Sequence, residues 1–304
     1  MTLLVVLLVL LLAWPVGLLI YANGKIGHTD ALTDAEGTPG TTYLLAGSDS
    51  RADGAIDDDG TTGQRSDTIM LLQVSGGQTS LISLPRDTYV EIPGHGPGKL
   101  NSSYSAGGPP LLTATVEELT GLTVDHYVEV GMGGVQGVVD AVGGVELCLD
   151  YDVDDSRSRL QWEAGCHHAD GETALAFARM RYSDPRGDIG RAERQRQVIG
   201  AVMEEVTRPG TLFNPVAHVR LVDAGTAAVT TDHDTGIVDL GRMAWAFLSA
   251  SGSEGITGTP PIADPDYQPG GIGSTILLDE ERTPEFFERL RDGELRPSDV
   301  ETAG

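Results

Sequence analysis

Six arginines fall between Arg179 and Arg196, inside FARMRYSDPRGDIGRAERQRQ (177–197). The chain of 304 residues has only 20 lysines and arginines in all, and a formal net charge of −25. Arginine presents a planar fork of donors that matches phosphate oxygens in pairs of bonds. Several forks from two elements suit a diphosphate better than a single carboxylate. Arg179 and Arg181 are two residues apart, so they share a face only if the chain there is extended. This predicts a helix that ends near Ala178, an extended MRYS, a turn at Asp184-Pro185 and a new helix from Asp188. Asp188, Arg191 and Gln195 are spaced by three and four and share one face of that helix. Val198 and Ile199 follow on or near it. Arg194 and Arg196 read instead as members of a solvated, salt-bridged face, with Glu193 a partner for Arg196.

Two carboxylates stand at strand ends. Asp49, in LLAGSDSR, follows one strand, where α/β sheets bind ligands. Asp67, in QRSDTIML, begins another. Two such acids converging on a diphosphate share Mg²⁺, with Mn²⁺ as a substitute. Either acid alone also fits an ordinary turn. DGAIDDDG is not a calcium loop, because its frame starts on Ala55 and places Ser66 at the twelfth position. Arg86 follows a further strand in SLPRDTYVEIPG, and KLNSSY offers Lys99 and Asn101 before a helix. His126, His167 and His168 show no metal-ligand spacing. No Walker loop, G-x-S-x-G elbow or zinc motif is present.

The elements that must position these residues alternate. TYLLAG (42–47), DTIMLLQV (67–74), TSLISL (79–84) and DHYVEV (125–130) read as strands. PPLLTATVEELTGL (109–122) reads as a helix with Pro in its first turn. GGVQGVVDAVGG reads as a Gly-rich helix, VELCLDY as a strand, and ETALAFA (172–178) as a helix. Later helices are expected at 238–250 and 284–293, with a strand at 273–279. The pattern gives one α/β domain with helices on both faces of a central sheet. SGGQ between two apolar runs signals a hairpin, so the sheet is mixed. Leu111, Leu112, Val116, Val128, Val135, Val138 and Val139 either line an apolar slot or are core, and the small residues at 131–144 leave room for a tunnel.

Residues 2–22 carry no charge and are long enough to span a hydrocarbon core of about 30 Å. A membrane anchor is expected, with a cleaved signal peptide as the alternative. Cys148 and Cys166 read as a disulfide outside the membrane, with two buried thiols as the alternative. They flank a polar excursion, YDVDDSRSRLQWEAG, that promises little core of its own. The strong negative charge argues against general nucleic-acid binding.

GSDSR, RSDTIML, SLPRDTYVEIPG, KLNSSY, DHYVEV, AVGGVEL, DGETALAFARMRY and GDIGRAERQRQ occur in that order. Together they resemble the LytR-CpsA-Psr family of membrane-anchored cell-wall enzymes, over about residues 42–205. The resemblance implies a three-layer α/β/α sandwich behind one N-terminal transmembrane helix. It implies a Mg²⁺-dependent phosphotransferase that moves a glycopolymer phosphate from a polyprenyl-pyrophosphate carrier to peptidoglycan. Asp49 and Asp67 would then hold the metal. Arg86, Arg179, Arg181, Arg191, Asp188 and Gln195 match the family's catalytic positions, with Lys99 and Asn101 on the substrate. The implied layout is an anchor at 1–23, a linker at 24–41, an extracytoplasmic catalytic domain at 42–292 and a flexible tail at 293–304. The same site would also serve a pyrophosphate hydrolase, or a non-catalytic regulator that binds the carrier lipid.

Overall fold

The computed structural model describes residues 2–48, 66–180, 188–252 and 255–301. In chain order it begins with α1 (Thr2–Asn23), β1 (Gly27–His28), β2 (Thr41–Ser48), β3 (Ser66–Ser75), β4 (Gln78–Leu84), β5 (Tyr89–Ile92), β6 (Gly96–Lys99), α2 (Leu100–Thr120) and β7 (His126–Gly131). There follow α3 (Met132–Val142), β8 (Val145–Leu149), β9 (Val153–Asp155), β10 (Leu160–Trp162), β11 (Gly165–Ala169), α4 (Gly171–Arg179), α5 (Asp188–Thr207), α6 (Pro209–Leu212) and α7 (Pro215–Ala227). The chain closes with β12 (Val229–Thr231), α8 (Ile237–Ala250), β13 (Ile256–Gly258), β14 (Ile262–Tyr267), β15 (Thr275–Leu278) and α9 (Thr283–Asp292). These elements form two compact units, Gly27–Gly131 with Thr230–Gly304, and Met1–Ile26 with Met132–Val229. Each has its own apolar core.

The first unit is built on a seven-stranded sheet in the order β1-β12-β7-β2-β3-β4-β13. It is mixed, as expected. β2 runs parallel to β7 and antiparallel to β3, and β4 pairs antiparallel with β3 but parallel with β13. The SGGQ turn joins β3 to β4 with Gly76 at φ 57° and Gly77 at φ 81°, a pair of positive angles that closes a tight hairpin. Strand period decides which residues face which layer. Leu44, Ala46, Ile69 and Leu71 pack toward α2 and α9, where Leu112, Val116, Phe286 and Leu290 are buried with them. Tyr43 and Leu72 face the other way, against Ala246 and Ala250 of α8. Helices thus cover both faces of the sheet. α2 is broken at Gly107 and Gly108, just before Pro109-Pro110, so its second half begins where the prolines require.

In this unit the segments read from sequence as linker and tail are packed. Ala31 and Leu295 are buried in the core, β1 pairs with β12, and Glu301 bridges to Thr259. The strand at 273–279 pairs with β14 rather than entering the central sheet.

The second unit holds α1, α3, α4, α5, α6 and α7 with two small antiparallel sheets, β8-β11 and β9-β10. VELCLDY forms a strand, as expected, but it pairs with β11 in a small sheet of its own and not with the central sheet. Cys148 and Cys166 sit opposite each other on β8 and β11 and are joined as a disulfide. The excursion between them does bring core. Val153, Leu160 and Trp162 are buried, and Trp162 lies 5.1 Å from Phe177, ring centre to ring centre. Alternation within β9 and β10 turns these three residues inward, with the buried Asp155 beside them, and leaves Asp154 and Gln161 outside.

The small residues near 131–144 serve close helix packing. A side chain at Gly134 would meet the Ala228 Cβ at 2.2 Å, and α3 lies against α7. Of the apolar residues offered for a slot, Leu112, Val116, Val128 and Val139 are buried, and Leu111 and Val135 pack against the cores. Leu112 and Val116 belong to the first unit's core and Val139 to the second's. α1 is helical over 22 residues. Among the described residues, with the side chains of 2–12 set aside, no helix is long and apolar enough to cross a membrane.

Candidate active site

Of the residues expected to do chemistry, Asp67, Arg86, Lys99 and Asn101 belong to the unit built on the central sheet and stand near one end of it. β2 and β7 are parallel and finish together, Ser48 beside Gly131. β3 starts at that end, and β4, running antiparallel to it, stops there with Leu84 opposite Ile69. Arg86 comes two residues after Leu84, in the turn closed by the bond from Thr88 N–H to the Pro85 carbonyl at 3.0 Å. The β2–β3 pairing slips by one residue here, from Gly47 opposite Thr68 to Ser48 opposite Ser66. Asp67 is the residue left over, a bulge that re-aims the backbone at the strand end. Asp49 comes next after Ser48 and lies outside the described residues.

The segment after β4 is tied to the start of α2. Thr88 Oγ1 donates to the Pro85 carbonyl at 2.6 Å, Leu100 N–H to the Thr88 carbonyl at 2.9 Å, and Asn101 N–H to the Arg86 carbonyl at 3.0 Å. Lys99, which precedes the first turn of α2, is thereby held beside Arg86. Between them sits Asp87. Lys99 Nζ donates to its Oδ1 at 2.9 Å and Arg86 Nε to its Oδ2 at 3.3 Å. Burial pushes the Asp87 carboxyl up, but the bond and charge of Lys99, together with Arg86, outweigh it and hold the group below the usual carboxylate range. Two cations, one carboxylate and the positive end of α2 leave this corner net attractive to an anion.

A second cluster stands on β7. Glu129 accepts the Tyr104 hydroxyl at 3.0 Å on each oxygen and the Tyr127 hydroxyl at 2.8 Å. Burial, then the neighbouring Glu129 charge, pushes the Tyr127 phenol far up, so it stays a donor. Sequence reading gave no role to Asp87, Tyr104, Tyr127 or Glu129. The signal for one pair was available, because Tyr127 and Glu129 are two apart on a strand and must share a face.

In the other unit, α4 ends at Arg179, and Met180 leaves the helix with φ −56° and ψ 130°. The helix therefore stops within a residue of the expected place. Arg181 and the turn after it lie outside the described residues. α5 begins at Asp188, as expected, so Asp188, Arg191 and Gln195 share a face by helix period; Gln195 is exposed. Arg194 overturns its expected surface role. It is 3% exposed, its Nε donates to the Phe177 carbonyl at 3.0 Å, and its Nη2 donates to that of Met180. The reason is the buried stripe at spacing four, Gly190, Arg194 and Val198, which faces α4 and the core. Ile199 lies off that stripe and is exposed.

Carboxylate oxygens are the hard donors that Mg²⁺ takes. The bulge at Asp67 puts that residue's backbone at the sheet end. Asp49 and the side chain of Asp67 lie outside the described part of the chain, and among the described residues no group of three or more His, Cys, Asp or Glu could hold a metal ion.

The LytR_cpsA_psr family profile matches residues 22–256. LcpB of Corynebacterium glutamicum, named a probable cell wall biosynthesis protein, is 39% identical over 284 residues, covering 90% of this chain and 66% of its own length. The polyisoprenyl-teichoic acid–peptidoglycan teichoic acid transferase TagU of Enterococcus faecalis is 37% identical over 212 residues, covering 69% of this chain and 66% of its own. The chain thus spans less than two thirds of the length of these relatives. Among solved structures, a LytR-Csp2A-Psr enzyme from Actinomyces oris superposes with a TM-score of 0.61 at 22% identity, covering 90% of this chain and 97% of that one, a likeness of fold.

Proposed function

The chain belongs to the LytR_cpsA_psr family, and we propose that it is a phosphotransferase moving a glycopolymer phosphate from a polyprenyl-pyrophosphate carrier to peptidoglycan. The observation that carries this reading is the Arg86–Asp87–Lys99 cluster at the sheet end, beside the start of α2. Arg86 and Lys99 supply the fixed positive charge that a diphosphate demands, and Asp87 keeps both side chains in place between turnovers. Arg179, Arg181 and Arg191, with Asp188 and Gln195, are proposed to act on the same donor. The name of TagU, a transferase from a polyisoprenyl-linked teichoic acid to peptidoglycan, supports the donor and acceptor classes.

In this reading an acceptor hydroxyl attacks the sugar-linked phosphorus in line and the polyprenyl phosphate departs. The protein acts by positioning and by stabilising charge, as in other phosphoryl transfers. Asp49 and Asp67 would hold Mg²⁺, which when bound supplies charge neutralisation at the diphosphate. Arginine forks grip its outer oxygens in pairs. We further propose that α1 anchors the chain in the cell membrane, with the rest of the chain outside the cytoplasm. The Cys148–Cys166 disulfide supports an oxidising compartment.

The test is to incubate the purified chain with Mg²⁺, a labelled polyprenyl-pyrophosphate-linked sugar and peptidoglycan, and follow the label. Label on peptidoglycan is the expected outcome. Label released as free sugar phosphate makes the protein a hydrolase, and donor bound without turnover makes it a carrier-lipid-binding regulator.

A further inference from the structure

The apolar helix α1 does not stand alone. Trp14 Nε1 donates to His218 Nδ1 of α7 at 3.1 Å, which leaves the other ring nitrogen, Nε2, to donate to the Leu212 carbonyl at 2.9 Å. Further along both helices, the Tyr21 hydroxyl donates to Asp223 Oδ1 at 2.8 Å, and Lys25 Nζ lies 3.5 Å from the same oxygen. Contacts that advance from 14 to 21 on one helix and from 218 to 223 on the other mean that the two run side by side in the same direction. The charged end, Lys25 with Asp223, is where α1 leaves its apolar run. The opposite end of α7, with the α6–α7 connection before it, lies at or beyond the level of Trp14. Trp14 is eight residues inside the apolar run that ends at Ala22, about 12 Å along the axis.

That end of α7 is dressed for a nonpolar setting. Leu212, Phe213 and Val216 are 53%, 79% and 58% exposed. Its backbone donors are satisfied internally. Thr211 and Leu212 N–H bond the Arg208 carbonyl, Phe213 N–H that of Pro209 and Asn214 N–H that of Thr211. The Asn214 side chain accepts from Val216 and Ala217 N–H, and position 215 is a proline with no N–H to satisfy. Unpaired backbone donors are what hydrocarbon does not tolerate. Side chains of this kind, carried on a short helical element, are what lies in an interfacial layer about 5–10 Å deep.

We propose that the α6–α7 tip, Leu212, Phe213 and Val216, is a membrane-docking surface that enters the leaflet from which α1 emerges. It would make the anchor and the tip one two-point attachment, and so hold the second unit close to a lipid-borne donor. The proposal rests on the reading of α1 as a membrane anchor.

The experiment uses the full chain reconstituted in vesicles of phosphatidylcholine and phosphatidylglycerol. A polarity-sensitive thiol dye is placed at Phe213→Cys, at Val9→Cys in the apolar run, or at Ala227→Cys, an exposed position at the far end of α7. The native cysteines are paired and do not take the dye. Spin-labelled acyl chains are then added as quenchers. The expected result is a blue shift and quenching at positions 213 and 9, with neither at 227. Quenching at 9 with position 213 as wet as 227 overturns the docking surface and leaves the anchor standing. No quenching at 9 removes the anchor and with it the two-point attachment, whatever position 213 shows, and dye in water at both positions overturns both readings.

Discussion

Arg194 Nε lies 3.0 Å from the carbonyl oxygen of Phe177, a buried guanidinium on α5 closing the end of α4. Its Nη2 also donates to the Met180 carbonyl. The contact fixes where Arg179 leaves its helix relative to the helix that carries Asp188, Arg191 and Gln195. Arg194→Met keeps bulk and removes the donors from two carbonyls. It is expected to cost about 3 kcal/mol, since charge-assisted bonds run at about 1.5–3 kcal/mol each. Urea unfolding reads this directly. A variant within about 0.5 kcal/mol of the parent, the range of an ordinary surface change, would refute the clasp.

Asp87 should give the first unit an acid limb. Its folded pKa is below the unfolded value of about 3.9. Its contribution is therefore fully present above the unfolded value and is lost as pH falls through the lower, folded one. The side chain is one-third exposed, so screening keeps the effect below about 1 kcal/mol. Asp87→Asn should flatten the loss of stability on acidification while leaving Arg86 and Lys99 to repel one another. Unchanged acid sensitivity would show that the pairing carries no linkage.

Tyr104→Phe and Tyr127→Phe each remove a hydroxyl donor from Glu129. Each is expected to cost about 1 kcal/mol, with the double variant departing from the sum because both donors serve one carboxylate. A thermal or urea series on the three variants measures the coupling. Strict additivity would mean that Glu129 is solvated without them.

Metal and arginine should fail differently. On the proposed reading, Asp67→Asn keeps shape and removes a negative Mg²⁺ ligand, so turnover should fall while the donor stays bound, with partial recovery in excess Mg²⁺. Arg86→Lys and Arg181→Lys keep charge but lose the paired fork, so affinity should fall about 10- to 150-fold along with rate. Donor affinity and single-turnover transfer separate the two classes. An Arg181→Lys protein that binds and turns over like the parent would remove ARMRY from the clamp.

The disulfide closes an 18-residue separation between β8 and β11. Replacing both cysteines by serine should lower stability by about 3 kcal/mol on the chain-entropy account. Trp162 and Phe177 report the local core, so tryptophan fluorescence should redden on unfolding at a lower denaturant concentration. An unshifted midpoint would show that the buried Trp162 region holds without the bond.

Local rules were enough for much of this chain. Two glycines between apolar runs made the β3–β4 hairpin, because only positive φ closes so short a turn. Asp-initiated periodicity from 188 made α5, and the end of α4 followed from two arginines that could share a face only on extended chain. Other features depend on what each residue packs against. Whether Arg194 was surface or buried turned on which helix face met α4, and period alone gives the stripe but not its partner. VELCLDY has a strand's alternation, yet its partner is β11, with paired residues 16 to 24 positions apart, because the disulfide and the Trp162 core draw it there. Gly134 lost its reading as space for a tunnel because Ala228 fills that space. Glu129 gained the Tyr104 donor because the fold brings that residue of α2 to β7. In each case a side chain's type limits what it can bond, and the fold chooses which partner comes within reach.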